Sequence, residues 1–331
     1  TQPAAMALIF SVTASNRRVQ AMGWWSMTTA GAPALGLVAG GPLIEWFGWR
    51  VVFLLQGAFA LAAFVLAALV LRETSRKTVR LDVAGSVTLA LGVSGLMLAL
   101  AELRELGLRS AAVLAAAATG AAGLVAFRAV EARAAAPLVP LGLLRDRRFV
   151  APTISSAFMS ASYIGTFVIA PFALHGVFGF TPAATAWILV LRTASLTLGS
   201  PFGGALGMRV GERAAAVVGA LVMTVSMAFL WWGVGGRSLL AVGGGLVLQG
   251  LGHGLGLPAL TSSATSAAAD EDIGIASAVN RLFGTIGAAF GITLLSLLWG
   301  GEGSSDAFAS AFAAGGALSA LSLAAAFGMR R

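Results

Sequence analysis

Stretches of about 20 apolar residues recur along the whole chain, each long enough to cross roughly 30 Å of hydrocarbon as a helix. No other feature constrains the fold as strongly. Inside lipid a backbone must satisfy its own hydrogen bonds, which leaves only helix bundles and closed barrels. The ten-residue alternating segments of a barrel are absent from this sequence. Charged residues make up only 10% of the chain, against about 25% in soluble domains. The expected fold class is an all-α polytopic membrane protein.

Ten full spans are expected at roughly 21–44, 51–71, 83–101, 110–128, 149–171, 183–204, 215–234, 239–260, 275–299 and 307–328. Residues 4–15 are also apolar but cover only about 18 Å as a helix, too short to span. With Thr1 in first place rather than a methionine, the chain reads as starting inside a helix, N-terminally truncated, with a partial first helix before the ten full ones.

Positive charge sets the orientation. With Arg17 and Arg18 in the cytoplasm, fifteen basic loop residues fall inside and four outside (Arg50, Arg104, Arg109 and Arg237). The C-terminal Arg330 and Arg331 are then cytoplasmic, and the location is a plasma membrane crossed many times. Two inner segments read as joints. Residues 71–82 (LRETSRKTVRLD) are a polar, basic linker, and residues 128–148 carry Pro137, Pro140 and the cluster RDRR along the membrane surface. Three parts follow: 1–71 as the end of an N-terminal helical domain, 72–148 as linker, two-helix hairpin and joint, and 149–331 as a six-helix domain.

The net charge of +8 lies in short loops between spans, where it sets topology, so no nucleic-acid partner is expected. With no Cys and only His175 and His253, the chain has no thiolate or histidine cluster for a metal, and no cofactor is expected. Lys77 is the only lysine and no phosphate-cradling loop surrounds it, which argues against an ATP-driven pump within this chain. A membrane-embedded enzyme would need clustered His, Asp or Glu at one membrane face, and none is present.

Within the first full span, GWWSMTTAGAPALGLVAGG places Gly23, Gly36, Gly40 and Gly41 at spacings that group small residues on one helix face, a packing signal. The same residues resemble the Gly-rich fifth helix of antiporters of the major facilitator superfamily, with Ala32 and Leu37 standing where a glycine and a proline are usual. GGALGMRVGER resembles that superfamily's cytoplasmic loop at Gly204, Arg209, Gly211 and Arg213, with Met208 in place of an acid. LRETSRKTVRLDVAGSVTLALG, PLVPLGLLRDRRFVAP, PFALHGVFGFTPAATAWILVL and VNRLFGTIGAAFGITLL are similar, in order and spacing, to segments of its fourteen-helix drug:proton antiporter branch. The resemblance implies a major-facilitator-type helix bundle and a secondary transporter, not an enzyme. It exchanges small hydrophobic or amphipathic compounds for protons by alternating access, with the lipid bilayer as its other partner. It also assigns gating or conformational roles to the glycines and arginines just named. A transporter of one anionic metabolite, or an inactive remnant, are the alternatives.

Arg209 and Arg213 can bond helix-end carbonyls and neighbouring helix termini across a domain interface, or simply anchor the loop to the inner surface. Arg192 lies deep in its span, where a guanidinium costs about 2.5–3.5 kcal/mol on insertion scales. It either lines a central cavity and favours anionic or zwitterionic substrates, or is a structural arginine bonded to backbone carbonyls. His253, within GLGHGLGLP, is a buried bonded imidazole or a proton relay; Asn280 is a further cavity candidate. Arg281 either pairs with Asp270, Glu271 or Asp272 at an inner gate or bonds carbonyls near its helix end. All thirteen Asp and Glu residues fall in loops or at span ends, so no deep acid is available for proton coupling.

The charge bias predicts that a single cysteine at Gly176, in this cysteine-free chain, is labelled from outside intact cells. Labelling only after permeabilisation would invert the topology.

Overall fold

The computed structural model describes residues 2–70, 82–134, 138–139, 142–269 and 272–329. Residues 71–81 of the expected linker, Pro137 and Pro140 of the joint, and Asp270, Glu271, Arg330 and Arg331 lie outside the described residues. Every helix of more than one turn is α-helical: α1 Gln2–Val12, α2 Arg18–Phe47, α3 Trp49–Val70, α4 Val83–Leu106, α5 Ala111–Glu131 and α6 Arg147–Phe178. They continue as α7 Pro182–Val210, α8 Glu212–Gly235, α9 Leu239–Ser266, α10 Ile273–Trp299 and α11 Ser305–Phe327. Among the described residues, nine of these (α3 to α11) are long and apolar enough to cross a membrane. α2, with 30 residues, is about 45 Å long. The fold is that of a multi-pass, all-α membrane protein, and the short α1 stands ahead of ten long helices.

Six of the ten long helices run three or more residues past the C-terminal ends of the apolar segments that announced them, whereas starts fixed by a side-chain cap fall within two residues of the expected ones. Asp82, Asp146, Thr181, Ser238 and Ser304 each accept a backbone N–H from the first turn of the helix they begin. α7 continues through the polar GMRV and stops where Gly211 takes φ +90°, a conformation that strains any residue with a Cβ.

α6 to α11 pack with an internal symmetry. Exchanging the triplet α6, α7, α8 for α9, α10, α11 turns the α7–α9 contact into α6–α10 and the α8–α9 contact into α6–α11. Equivalent helices stand three positions apart in the chain, an odd number, so the two triplets run in opposite senses, as in an inverted-topology repeat. Small residues line the tightest seams. A Cβ on Gly203 would meet Leu255 O at 2.5 Å and Gly254 O at 2.6 Å in the α7–α9 seam, and one on Gly165 would meet Gly291 O at 2.8 Å in the α6–α10 seam. Polar ties reinforce them: Ser155 Oγ donates to Ser322 O and Ser322 Oγ to Ser155 O, both at 2.9 Å, joining α6 to α11.

Two further elements flank this group. α2 lies against α7 and α9, and α1 against α10. The α4–α5 hairpin is closed by glycines (a Cβ on Gly95 would lie 2.5 Å from Gly120 N) and touches α10, where Thr293 Oγ1 donates to Leu100 O at 2.9 Å. At the C-terminal end of α5 the buried Glu131 accepts Val139 N–H at 2.5 Å, tying α5 to the joint.

The glycine face expected on α2 divides. Gly23 meets α7 so closely that a Cβ would stand 2.6 Å from Ser200 O, whereas Gly36 is exposed with nothing within 4 Å. The surroundings of Gly40 and Gly41 lie outside the description. Close packing is therefore corrected at Gly36: spacing puts both glycines on the helix, but α7 reaches only the N-terminal half of α2. Gly95→Leu should lower stability by about 1–3 kcal/mol through overpacking, read as a fall in melting temperature. Gly36→Leu should leave the melting temperature of this chain unchanged.

Candidate functional site

A cavity of about 530 Å³ opens where α1 and α2 face α6, α7, α9 and α10. Its wall combines apolar Met6, Trp25, Ile164, Leu196, Leu257 and Ala288 with the hydroxyls of Ser26, Thr29, Ser156, Ser160, Thr261, Ser277 and Thr285. Tyr163, His253, Asn280 and Arg281 complete the polar lining, and no carboxylate lines it among the described residues. A smaller depression of about 180 Å³, around Gly142, Asp146 and Asp272, sits at helix ends instead. The larger cavity is the candidate site, because it lies between two helix groups and near the midpoint of α6 and α9.

Arg192 is not on that wall. It is fully buried between α6, α7 and α9, where Nε donates to Gln249 Oε1 at 2.6 Å and Nη2 to Tyr163 O at 2.5 Å. The guanidinium stacks 3.6 Å from the centroid of the Tyr163 ring, with Phe167 at 5.1 Å. The His253 imidazole packs against the same Tyr163 ring at 4.1 Å, tilted by 31°. One ring face cannot take two planar groups at those separations, so arginine and histidine hold opposite faces. The expectation that Arg192 lines the cavity is thus corrected: α7 holds no other charged residue before Arg209, and the direction of its deep cation is set by Gln249 and Tyr163. Nη1 of Arg192 and Nδ1 of His253 are buried without a partner.

His253 and Asn280 do reach the cavity, both largely buried. Asn280 Nδ2 donates to Thr153 Oγ1 at 3.3 Å and Ser156 Oγ at 3.4 Å, bridging α10 to α6. Arg281 is exposed to the cavity. Asp272, the one described acid of its loop, lies nine residues earlier, about 13.5 Å along the helix axis.

The remaining candidates lie away from the cavity. Gly204 faces α2, where a Cβ would stand 2.9 Å from Gln20 Cα and Val19 O, so Gly23 and Gly204 form one close crossing. Arg209 is exposed. Arg213 Nη2 donates to Phe327 O at 2.8 Å, capping the end of α11 within the same six-helix group rather than across to α1 or α2.

Sequence reasoning passed over Tyr163 and Gln249. Tyr163 is the chain's only tyrosine, and a single phenol inside a span was a usable signal. Gln249 is a lone amide in a Gly-rich helix whose partner is 57 residues away in sequence. Hydrogen bonds to a charged group contribute about 1.5–3 kcal/mol. A double-mutant cycle of Arg192→Met and Gln249→Leu should therefore show a coupling energy of about that size in thermal unfolding. Additive effects would mean that the bond does not hold the guanidinium.

Comparison with known proteins agrees with this architecture. Residues 1–181 match the Major Facilitator Superfamily. The chain is 27% identical over 295 residues to the multidrug transporter protein MdtP of Bacillus subtilis, covering 88% of this chain and 54% of that protein. It is 30% identical over 314 residues to the tetracenomycin C resistance and export protein of Streptomyces glaucescens, covering 90% of this chain and 56% of that protein. The chain thus spans about half the length of these curated relatives. Among solved structures, the human organic anion transporter MFSD10 (TETRAN) aligns over 99% of this chain and 82% of its own, at a TM-score of 0.47 and 17% identity.

Proposed function

The chain belongs to the Major Facilitator Superfamily, and we propose on that premise that it is part of a proton-coupled exporter of small amphipathic compounds in a plasma membrane. The observation that carries this reading is the cavity. It lies deep among the long helices, it is bounded by α1 and α2 on one side and α6, α7, α9 and α10 on the other, and it mixes indole and aliphatic surface with hydroxyls. Such a lining accepts an apolar body while offering a few directional hydrogen bonds, the usual composition of a small-molecule site.

Within the superfamily, we assign the chain to the fourteen-helix drug:proton antiporter branch. The α4–α5 hairpin between the two helix groups supports that assignment, as do multidrug and antibiotic-export relatives. The division at 1–71, 72–148 and 149–331 follows from it, with the C-terminus cytoplasmic. Alternating access would rock α1 and α2 against the six-helix group about the Gly23–Gly204 crossing, where nothing larger than hydrogen fits. Protons are the proposed counter-ion, taken up by a group outside the described lining, since that lining holds no carboxylate. Gly211, Arg209, Arg213 and Arg281 keep conformational roles in this reading.

Cells expressing the chain should accumulate less of an amphipathic fluorescent dye than control cells, and a protonophore should abolish the difference. Equal accumulation with and without expression would remove the export reading. A difference that survives the protonophore would remove proton coupling alone.

A further inference from the structure

We propose that the cavity selects amphipathic organic acids, molecules with an apolar, planar body and a carboxylate or sulfonate head. The inference rests on the transport reading above and deepens it by naming a substrate class.

Charge carries the argument. Arg281 is the charged side chain on the described cavity wall, and no carboxylate shares that wall. Directly behind it lies a second cation. Arg192 is fully buried, and its bonded N–H groups are taken by neutral oxygens, Gln249 Oε1 and Tyr163 O, while Nη1 has no partner. Among the described residues, no acid neutralises either guanidinium. Only the thickness of the Tyr163 and His253 rings separates Arg192 from the cavity side of its wall. The field of the buried Arg192 reaches the cavity with little screening, while the exposed Arg281 acts on a solute at contact range. An organic cation entering there meets two like charges, and an anion meets two opposite ones.

The hydrogen-bonding groups point the same way. Ser160 lines the cavity from α6, with its Oγ beside Gly284 one turn from Arg281, and its hydroxyl can donate to an acid head. Trp25, Leu196 and Leu257 supply apolar surface for the body of the ligand. An acid head near Arg281 and Ser160, with its body toward Trp25, uses both halves of the lining.

Three isosteric probes test this against the purified chain in phosphatidylcholine nanodiscs: 2-naphthoate, 2-naphthylmethanol and 2-naphthylmethylammonium, each by equilibrium binding. Naphthoate should bind at least about tenfold more tightly than the ammonium probe. Arg281→Gln should bring that ratio close to one, and Arg281→Lys should keep most of it. A wild-type preference for the ammonium probe, or a ratio that survives Arg281→Gln, overturns the proposal. If Arg281→Gln is not recovered folded, the wild-type and Arg281→Lys ratios decide. Discs containing phosphatidylglycerol distinguish a free acid from a lipid headgroup. Unchanged naphthoate binding supports the free acid, and competition by the lipid assigns the site to its phosphate and overturns the export of free acids. Binding of the alcohol and ammonium probes without naphthoate removes acid selectivity but leaves transport standing. Failure of all three to bind removes the transport reading itself.

Discussion

In hydrocarbon, burying an apolar side chain against another helix gains little over burying it against lipid, so helices associate through close contact and hydrogen bonds. The structure depends on that constraint. Where α7 meets α9 and α6 meets α10, glycines bring the backbones together, with Gly203 against Gly254 and Leu255 and Gly165 against Gly291. Polar side chains then bond across the contacts: Ser195 Oγ donates to Val247 O at 2.9 Å between α7 and α9, and Asn280 Nδ2 donates to Thr153 Oγ1 at 3.3 Å between α10 and α6. Because the two seams are related by the exchange of helix triplets, they hold α6, α7, α9 and α10 around one space. The cavity is what remains between those four helices and α1 and α2.

The cavity wall carries an unusual charge arrangement. A fully buried guanidinium without a carboxylate would be costly if nothing else compensated it. Here Gln249 and the Tyr163 carbonyl accept two of its N–H groups, and the Tyr163 ring offers its electron-rich face. These contacts also fix Tyr163, against which His253 stacks, so one buried cation sets the position of two aromatic groups at the cavity. Met227 adds a weak acceptor beneath, its sulfur 3.9 Å from Gln249 Nε2. Arg192 therefore joins both readings given to it at the outset. It is a structural arginine bonded to backbone, and only the Tyr163 and His253 rings stand between it and the space a solute would occupy.

Much of this was legible in the sequence, and the exceptions share a cause. Apolar run length announced the long helices and their order, because crossing a bilayer sets a minimum length. The depth of Arg192, His253 and Asn280 followed from their positions in those runs. The direction each faces did not follow, since a helix apolar on every side has no polar stripe to orient it. Gly23 and Gly36 illustrate the same limit. Their spacing defines a helix face, but which half of that face meets a neighbour depends on where α7 crosses. The Arg192–Gln249–Tyr163 cluster joins three helices far apart in sequence, and nothing local to any of the three residues signals the other two. Arg213 shows a subtler case: a bond to a helix-end carbonyl was expected, but its partner is Phe327 of the same helix group.

The central claim is that a transported molecule occupies the space between α1 and α2 and the four helices facing them. It is tested most directly by a single cysteine at Ser160, a near-isosteric replacement on the cavity wall of this cysteine-free chain. Its alkylation by a small maleimide should be slowed in proportion to the occupancy of an amphipathic substrate, while a lipid-facing control at Leu198 should be unaffected. Equal reaction rates at Ser160→Cys with and without saturating substrate would contradict the account.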